Sequence, residues 1–166
     1  MAGLPGSGKS TLALAVGQRV GWPVLDKDTI KSGLLELGAE EDLAAQASYV
    51  LLHELAQDIV ETQGQSVILD TPSSYERVFE TCRQIAAKAD ATLRIVLCEA
   101  TRETRAHRLA TRKRRASHVA AIDDVAEAAI QRVFDELPPD VFRISTEGPP
   151  EDIVDEVVMF AMSLEP

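Results

Sequence analysis

Eight residues near the start of the chain limit what it can fold into more than any other feature. Gly3-Leu4-Pro5-Gly6-Ser7-Gly8-Lys9-Ser10 fit the pattern of Gly, four residues, then Gly-Lys-Ser. Each part has a physical task. Gly3, Gly6 and Gly8 allow backbone conformations that a β-carbon would forbid, so the loop's N–H groups can turn inward around a phosphate. Lys9 can reach the β- and γ-phosphates of a nucleotide, and the Ser10 hydroxyl can ligate Mg²⁺. Leu12, Ala13, Ala15 and Val16 follow at helical spacing. The bound anion would therefore sit at a helix N-terminus. The candidate nucleotide-binding set is Gly3, Pro5, Gly6, Ser7, Gly8, Lys9, Ser10 and Thr11, with ATP as the expected nucleotide.

A loop of this kind is fed by a buried strand, usually the central one of an open α/β sheet. Only Met1 and Ala2 precede Gly3. The expectation is a truncated first strand, with a slot about 5 Å wide on either side whose neighbours keep unpaired backbone groups.

The rest of the chain reads as strand and helix in alternation, which predicts a parallel sheet with helices on both faces. The expected helices are 9–20, Thr29–Leu37, Asp42–Gln63, Tyr75–Ala89, Arg102–Arg115, Asp123–Leu137 and Glu151–Leu164. The expected strands are Trp22–Leu25, Ser66–Asp70, Leu93–Cys98 and Val141–Ser145. In the long helix, Leu43, Ala47, Val50, Leu51, Leu55, Ile59 and Val60 form the expected apolar face. The fold class is thus α/β, a P-loop three-layer sandwich with a parallel sheet, built as one domain over residues 1–166.

Composition narrows the partners. Net charge is −10, which disfavours nucleic acid or an anionic membrane as a broad-surface partner. Aromatic residues make up 4%, too few for a base-stacking platform. No apolar run has the length of a membrane span, and no basic-then-apolar leader is visible. Cys82 and Cys98 lack metal-type spacing and read as reduced thiols, which points to a cytoplasmic setting. His53, His107 and His118 form no ligand pattern.

Three groups carry the chemistry. The first is Asp26 and Asp28, at the carboxyl end of the second strand, where ligands bind in such sheets. An acid there can take the proton of an acceptor hydroxyl as it attacks the γ-phosphorus. The alternative is that Asp26 or Asp28 simply caps the helix beginning near Thr29. Lys31 lies about one turn after Asp28 and can face the same crevice. The second is Asp70, which closes the run Val67–Leu69 and is a candidate magnesium acid. Thr71-Pro72-Ser73-Ser74 follows and could present hydroxyls to a substrate, Thr71 first, while Ser73 and Ser74 read equally well as caps of the next helix. The third is a basic stripe of Arg102, Arg105, Arg108, Arg112 and Arg115 at three- and four-residue spacing. Such a stripe suits a polyanion; the alternative is a solvated face paired with distant acids.

Placed together, these residues resemble the small P-loop kinases of the nucleoside-monophosphate-kinase-like group. The similarity is greatest to the subgroup holding polynucleotide 5′-hydroxyl kinase, gluconate kinase, chloramphenicol phosphotransferase and zeta toxins. Asp28 with Lys31 looks like that subgroup's Asp-x-x-Arg, with Lys in place of Arg, and this substitution loses bidentate contact with a phosphate-bearing acceptor. Arg108-Leu109-Ala110-Thr111-Arg112 looks like the family's lid, here expected over 102–118. Ile130–Pro138 is similar to the segment before the family's last strand. The resemblance implies an ATP- and Mg²⁺-dependent phosphotransferase acting on a small-molecule hydroxyl: a sugar, polyol, nucleoside or antibiotic. Lys9, Asp28, Arg108 and Arg112 would be catalytic, Ser10 and Asp70 metal-binding, and Asp26, Asp28, Lys31 and Thr71 near the acceptor. Acceptor specificity would lie between Leu34 and Gln63. The alternative is a nucleotide-binding switch or regulatory ATPase with no dedicated acceptor.

Overall fold

The computed structural model of the protein describes residues 1–72, 76–112, 116–117 and 123–163. Four short parallel strands make the sheet: β1 (Val24–Asp26), β2 (Ile68–Asp70), β3 (Val96–Glu99) and β4 (Phe142–Ser145). β1 pairs with β2, Asp26 opposite Asp70, and β3 pairs with β4, Glu99 opposite Ser145.

Met1 and Ala2 join the two pairs. Ala2 forms a parallel bridge with Leu97. Its N–H donates to Val96 O at 2.8 Å, and its carbonyl accepts from Cys98 N at 2.9 Å. On the other side Met1 N donates to Leu69 O at 2.7 Å. The spatial order is therefore β1, β2, Met1–Ala2, β3, β4. The strand neighbours expected to keep unpaired backbone groups are bridged by these two residues. Ala2 fits because the space is small: it is buried in a cluster with Phe79, Leu97 and Phe134.

Helices cover both faces. α1 (Lys9–Val20) and α7 (Val154–Met162) lie on one, and α4 (Glu76–Lys88) and α6 (Asp124–Asp135) on the other. The alternation of β3 divides the core. Val96 and Cys98 join Leu12, Ala13, Val16, Ile68, Ile144 and Val157, while Leu97 turns the opposite way towards Phe79 and Phe134. α2 (Lys27–Glu36) and α3 (Glu41–Gln57) pack on each other beside β1, and α5 (Arg102–Thr111) follows β3.

Several element boundaries differ from expectation. Trp22 stays out of the sheet because its N–H closes the end of α1 on Gly17 O at 3.1 Å. α3 passes into a single π turn, Asp58–Thr62. Its buried stripe is Ala44, Ser48, Leu52 and Ala56, so the expected face is corrected: Leu43, Val50, Leu51 and Leu55 are exposed. Small residues, together with Leu52, face the protein at i, i+4 spacing because α2 and α3 approach closely, and Leu43, Leu51 and Leu55 are turned out. α5 stops at Thr111, where Arg112 takes an extended ψ of 147°, so Arg112 leaves the helix that was expected to reach Arg115. Ser73, Ser74, Lys113, Arg114, Arg115 and His118 lie outside the described residues. Among the described residues no helix is long and apolar enough to cross a membrane.

Candidate active site

The chain leaves the sheet at Ala2 and turns through Gly3, Leu4, Pro5, Gly6, Ser7 and Gly8 into α1. Ser7 N closes the turn on Leu4 O at 3.0 Å. Gly6 and Gly8 hold left-handed φ of 80° and 82°. A β-carbon on Gly6 would lie 2.7 Å from Arg105 O, and one on Gly8 would lie 3.2 Å from Arg108 Nη1. The loop is therefore packed against α5, with no room for a β-carbon at Gly6 and little at Gly8. No side chain caps α1; Gly8 gives its carbonyl to Leu12 N at 3.0 Å. The amides of the first turn, Lys9, Ser10 and Thr11, are those a helix leaves free for an anion. Lys9 is half-buried, while Ser10 and Thr11 are exposed.

The two acids after β1 divide their work. Asp26 is the cap of α2: Oδ1 accepts from Asp28 N at 2.8 Å, and Oδ2 accepts from the Thr29 hydroxyl at 2.7 Å. Asp28 is in the first turn, with its carboxylate 3.0 Å from Lys27 Nζ. The sequence favoured Asp28 as the base but left open which of the two caps the helix; the hydrogen bonds give the cap to Asp26.

Asp70 stands level with Asp26 on the neighbouring strand. It is 3% exposed, and its Oδ1 has no hydrogen-bond partner among the described residues. Burial pushes its carboxyl above the usual range, against the pull of the Lys9 ammonium and the Ser10 hydroxyl. This buried acid is thus beside the two P-loop residues expected to meet phosphate and metal. Among the described residues there is no cluster of three His, Cys, Asp or Glu able to hold a metal alone. A divalent cation here would take Ser10 and Asp70, and its other ligands would be water and nucleotide phosphate, the usual habit of Mg²⁺. The residues fit that ion: an orphaned carboxylate oxygen faces a hydroxyl. Thr71, the next residue, is also buried.

The basic stripe resolves into different roles. Arg102 pairs with Asp124 at the surface. Arg105 is buried and reaches Glu127 Oε1 at 2.5 Å, with Nε on Ala100 O at 3.3 Å. Both tie α5 to α6, which corrects the picture of a cationic face whose charges wait together for an anion. Arg108 behaves differently. It donates to Thr146 O, to Thr146 Oγ1 at 3.3 Å and to Gly6 O at 3.5 Å, so it lies across the back of the phosphate loop. Arg112, half-buried, follows at the helix end.

Lys31 does not pair with Asp28. Its buried side chain reaches Glu41 at the start of α3. Sequence reasoning missed several residues around the site. The buried Thr146 hydroxyl lies 2.5 Å from Ser7 O and braces the phosphate loop. Ser117 donates to Asp28 O at 2.9 Å and accepts from Ser32 Oγ at 2.9 Å. Lys27 is buried over the ring of Tyr49, 5.3 Å from its centroid. The only sequence signal for Thr146 was a hydroxyl just past the last strand; Ser117, Lys27 and Tyr49 gave none. The Cys98 thiol, near the loop, is pushed up to about 11 by burial, which makes it a poor nucleophile.

A Gly-rich loop between a parallel sheet and a helix, with a lysine and a buried acid converging on it, defines a P-loop nucleotide-binding domain. More narrowly, the chain belongs to the AAA_33 family of AAA domains, whose model matches residues 1–137. A Mycobacterium tuberculosis (strain H37Rv) protein described as uncharacterized is 30% identical over 162 residues, covering 91% of this chain and 32% of its own length. A Mycobacterium bovis counterpart matches equally. The chain thus spans about a third of the length of the curated relatives it matches. Among solved structures, a candidate kinase from Chloroflexus aurantiacus superposes with a TM-score of 0.70 at 22% identity, covering 94% of this chain and 93% of that one. An APS kinase of Mycobacterium tuberculosis in complex with AMPPNP and APS gives 0.65 at 20% identity, covering 98% and 95%. A gluconokinase from Sinorhizobium meliloti gives 0.62 at 16%, covering 96% and 88%. The small P-loop kinase fold expected from the motifs is the fold of this chain.

Proposed function

We propose that this domain transfers the γ-phosphoryl group of ATP to a hydroxyl of a small molecule. One observation carries the transferase reading over a switch that hydrolyses ATP alone. Asp26 consumes both its carboxylate oxygens in capping α2, and Asp28, two residues on, is left 30% exposed at the strand edge. The capping role is filled by Asp26, so the second acid, paired with Lys27, is not needed as a cap and is available for proton transfer.

In this reading the amides of residues 6–11 and the Lys9 ammonium hold the β- and γ-phosphates. Ser10 and Asp70 hold Mg²⁺, which when bound offsets phosphate charge. The acceptor oxygen attacks the γ-phosphorus as its proton passes to Asp28. The bond from the γ-phosphorus to the bridging oxygen breaks, and ADP leaves with that electron pair. Arg108 turns from Thr146 towards the transferring group, where a guanidinium stabilises charge that grows in the transition state; Arg112 supports it from the end of α5. Lys31 and Thr71 line the acceptor side. The free thiols Cys82 and Cys98 fit a cytoplasmic setting. The gluconokinase and the APS kinase among proteins of this fold support a phosphoryl-transfer reading.

The test is γ-labelled ATP with Mg²⁺ and four acceptors: D-gluconate, glycerol, adenosine and chloramphenicol. The expected result is label transferred to one class of acceptor. Label released only as inorganic phosphate, at a rate that no compound alters, would favour the regulatory ATPase.

A further inference from the structure

We propose that Lys27 is a positioning residue that fixes the Asp28 carboxylate for proton transfer, with Tyr49 of α3 as its platform; this rests on the reading of Asp28 as the base. Lys27 is the first residue of α2 and would ordinarily extend into water. Instead its side chain is 11% exposed, with Nζ 3.0 Å from Asp28 Oδ1 and 5.3 Å from the centre of the Tyr49 ring. Burying an ammonium costs free energy that one partly exposed carboxylate repays poorly, and an apolar residue of the same volume would serve packing as well. The Tyr49 ring face lowers the cost through its quadrupole and fixes where the charge sits.

Three bonds then locate Asp28. Its N–H is held by Asp26 Oδ1 at 2.8 Å, its carbonyl by the Ser117 hydroxyl at 2.9 Å, and its carboxylate by Lys27. The first two fix the backbone, and only Lys27 fixes the side chain. A carboxylate held by one oxygen cannot swing about its last torsion, and its other oxygen keeps one direction. Among the described residues nothing engages that second oxygen. Lys31, one turn on, is also buried, but its partner Glu41 is on α3 and not at the strand edge, so the two lysines are not equivalent.

The experiment measures ADP formation from MgATP with the four acceptors present. Asp28→Asn sets the reference. Lys27→Met keeps the stem over Tyr49 and removes the charge. It should lower kcat by about 10–100-fold, since a misplacement of ~1 Å at a reacting group costs about that much. KM for ATP should stay within about twofold, because Lys27 does not touch the P-loop. Lys27→Arg should recover most of the rate, which rules out a folding defect at this position. Tyr49→Leu should lower kcat in the same direction but less. If Asp28→Asn abolishes turnover and Lys27→Met leaves kcat within about twofold, the positioning role is wrong while the base reading stands. If Asp28→Asn itself leaves turnover intact, the base reading fails and this role with it.

Discussion

The phosphate end and the proposed acceptor end of this domain are built by different means. At the phosphate end the backbone does the work. Gly6 and Gly8 take left-handed conformations, no side chain caps the first turn of α1, and Thr146 and Arg108 brace the loop from behind. At the acceptor end side chains of α2 do it, paired with each other and with other segments: Lys27 with Asp28 and Tyr49, Lys31 with Glu41, Ser32 with Ser117. A backbone device tolerates little change, because each residue answers a conformational demand. A device made of side-chain pairs can be re-cut for another acceptor while the nucleotide end stays as it is.

At the phosphate end, the largest effect that would sharpen this contrast is at Lys9. Lys9→Ala should lower ATP turnover by about 10²–10³-fold, the cost of losing one charge-stabilising donor. Thermal melting should stay close to the parent, because Lys9 is half-buried with no ion pair among the described residues. A protein that melts early but turns over normally would make Lys9 structural. Next in size is Arg105, which the sequence placed in the anion-binding stripe and the structure makes a buried tie to Glu127. Arg105→Met should cost about 3 kcal/mol of stability, as breaking a buried pair does, read as a lower denaturant midpoint.

Asp70 gives a smaller effect of opposite sign. Its folded carboxyl titrates above the ordinary value because of burial. The folded state therefore keeps its proton while the unfolded chain loses one, and stability falls as pH rises through that window. Asp70→Asn should stabilise the nucleotide-free protein at neutral pH by on the order of 1 kcal/mol. The gain should vanish below the usual carboxylate range, where both states are protonated. The same change should weaken the stabilisation by MgATP, measured by melting with and without nucleotide. A neutral-pH loss of stability would mean that Asp70 is satisfied in the fold. Smallest is Arg102→Met. Its pair with Asp124 is exposed, so the shift should be under about 0.5 kcal/mol.

The phosphate end was legible in the sequence because a fixed spacing of Gly, Lys and Ser encodes a backbone path. Asp70 was legible for a related reason: an acid closing an apolar run marks the carboxyl edge of a strand. Asp26 and Asp28 were placed correctly at that edge, yet their division of labour depends on which carboxylate bends back to the Thr29 hydroxyl, a rotamer choice that spacing does not carry. The face of α3 was misread because hydrophobicity alone favours the leucines, whereas close packing on α2 selects Ala44, Ser48 and Ala56. The split of the arginine stripe depends on acids of α6 some twenty residues away, Asp124 and Glu127, and helical periodicity says nothing of them.

The pair Asp26 and Asp28 tests the account most directly, since one is read as structure and the other as chemistry. Phosphoryl transfer, ATP binding and melting should be measured on Asp28→Asn and Asp26→Ala side by side. The account predicts that Asp28→Asn loses about 10²–10⁴ in transfer rate with ATP binding and melting little changed. Asp26→Ala should lose about 1 kcal/mol of stability as a deleted helix cap, with transfer reduced far less. The reverse pattern, in which Asp26→Ala abolishes transfer and Asp28→Asn only lowers the melting temperature, would contradict it.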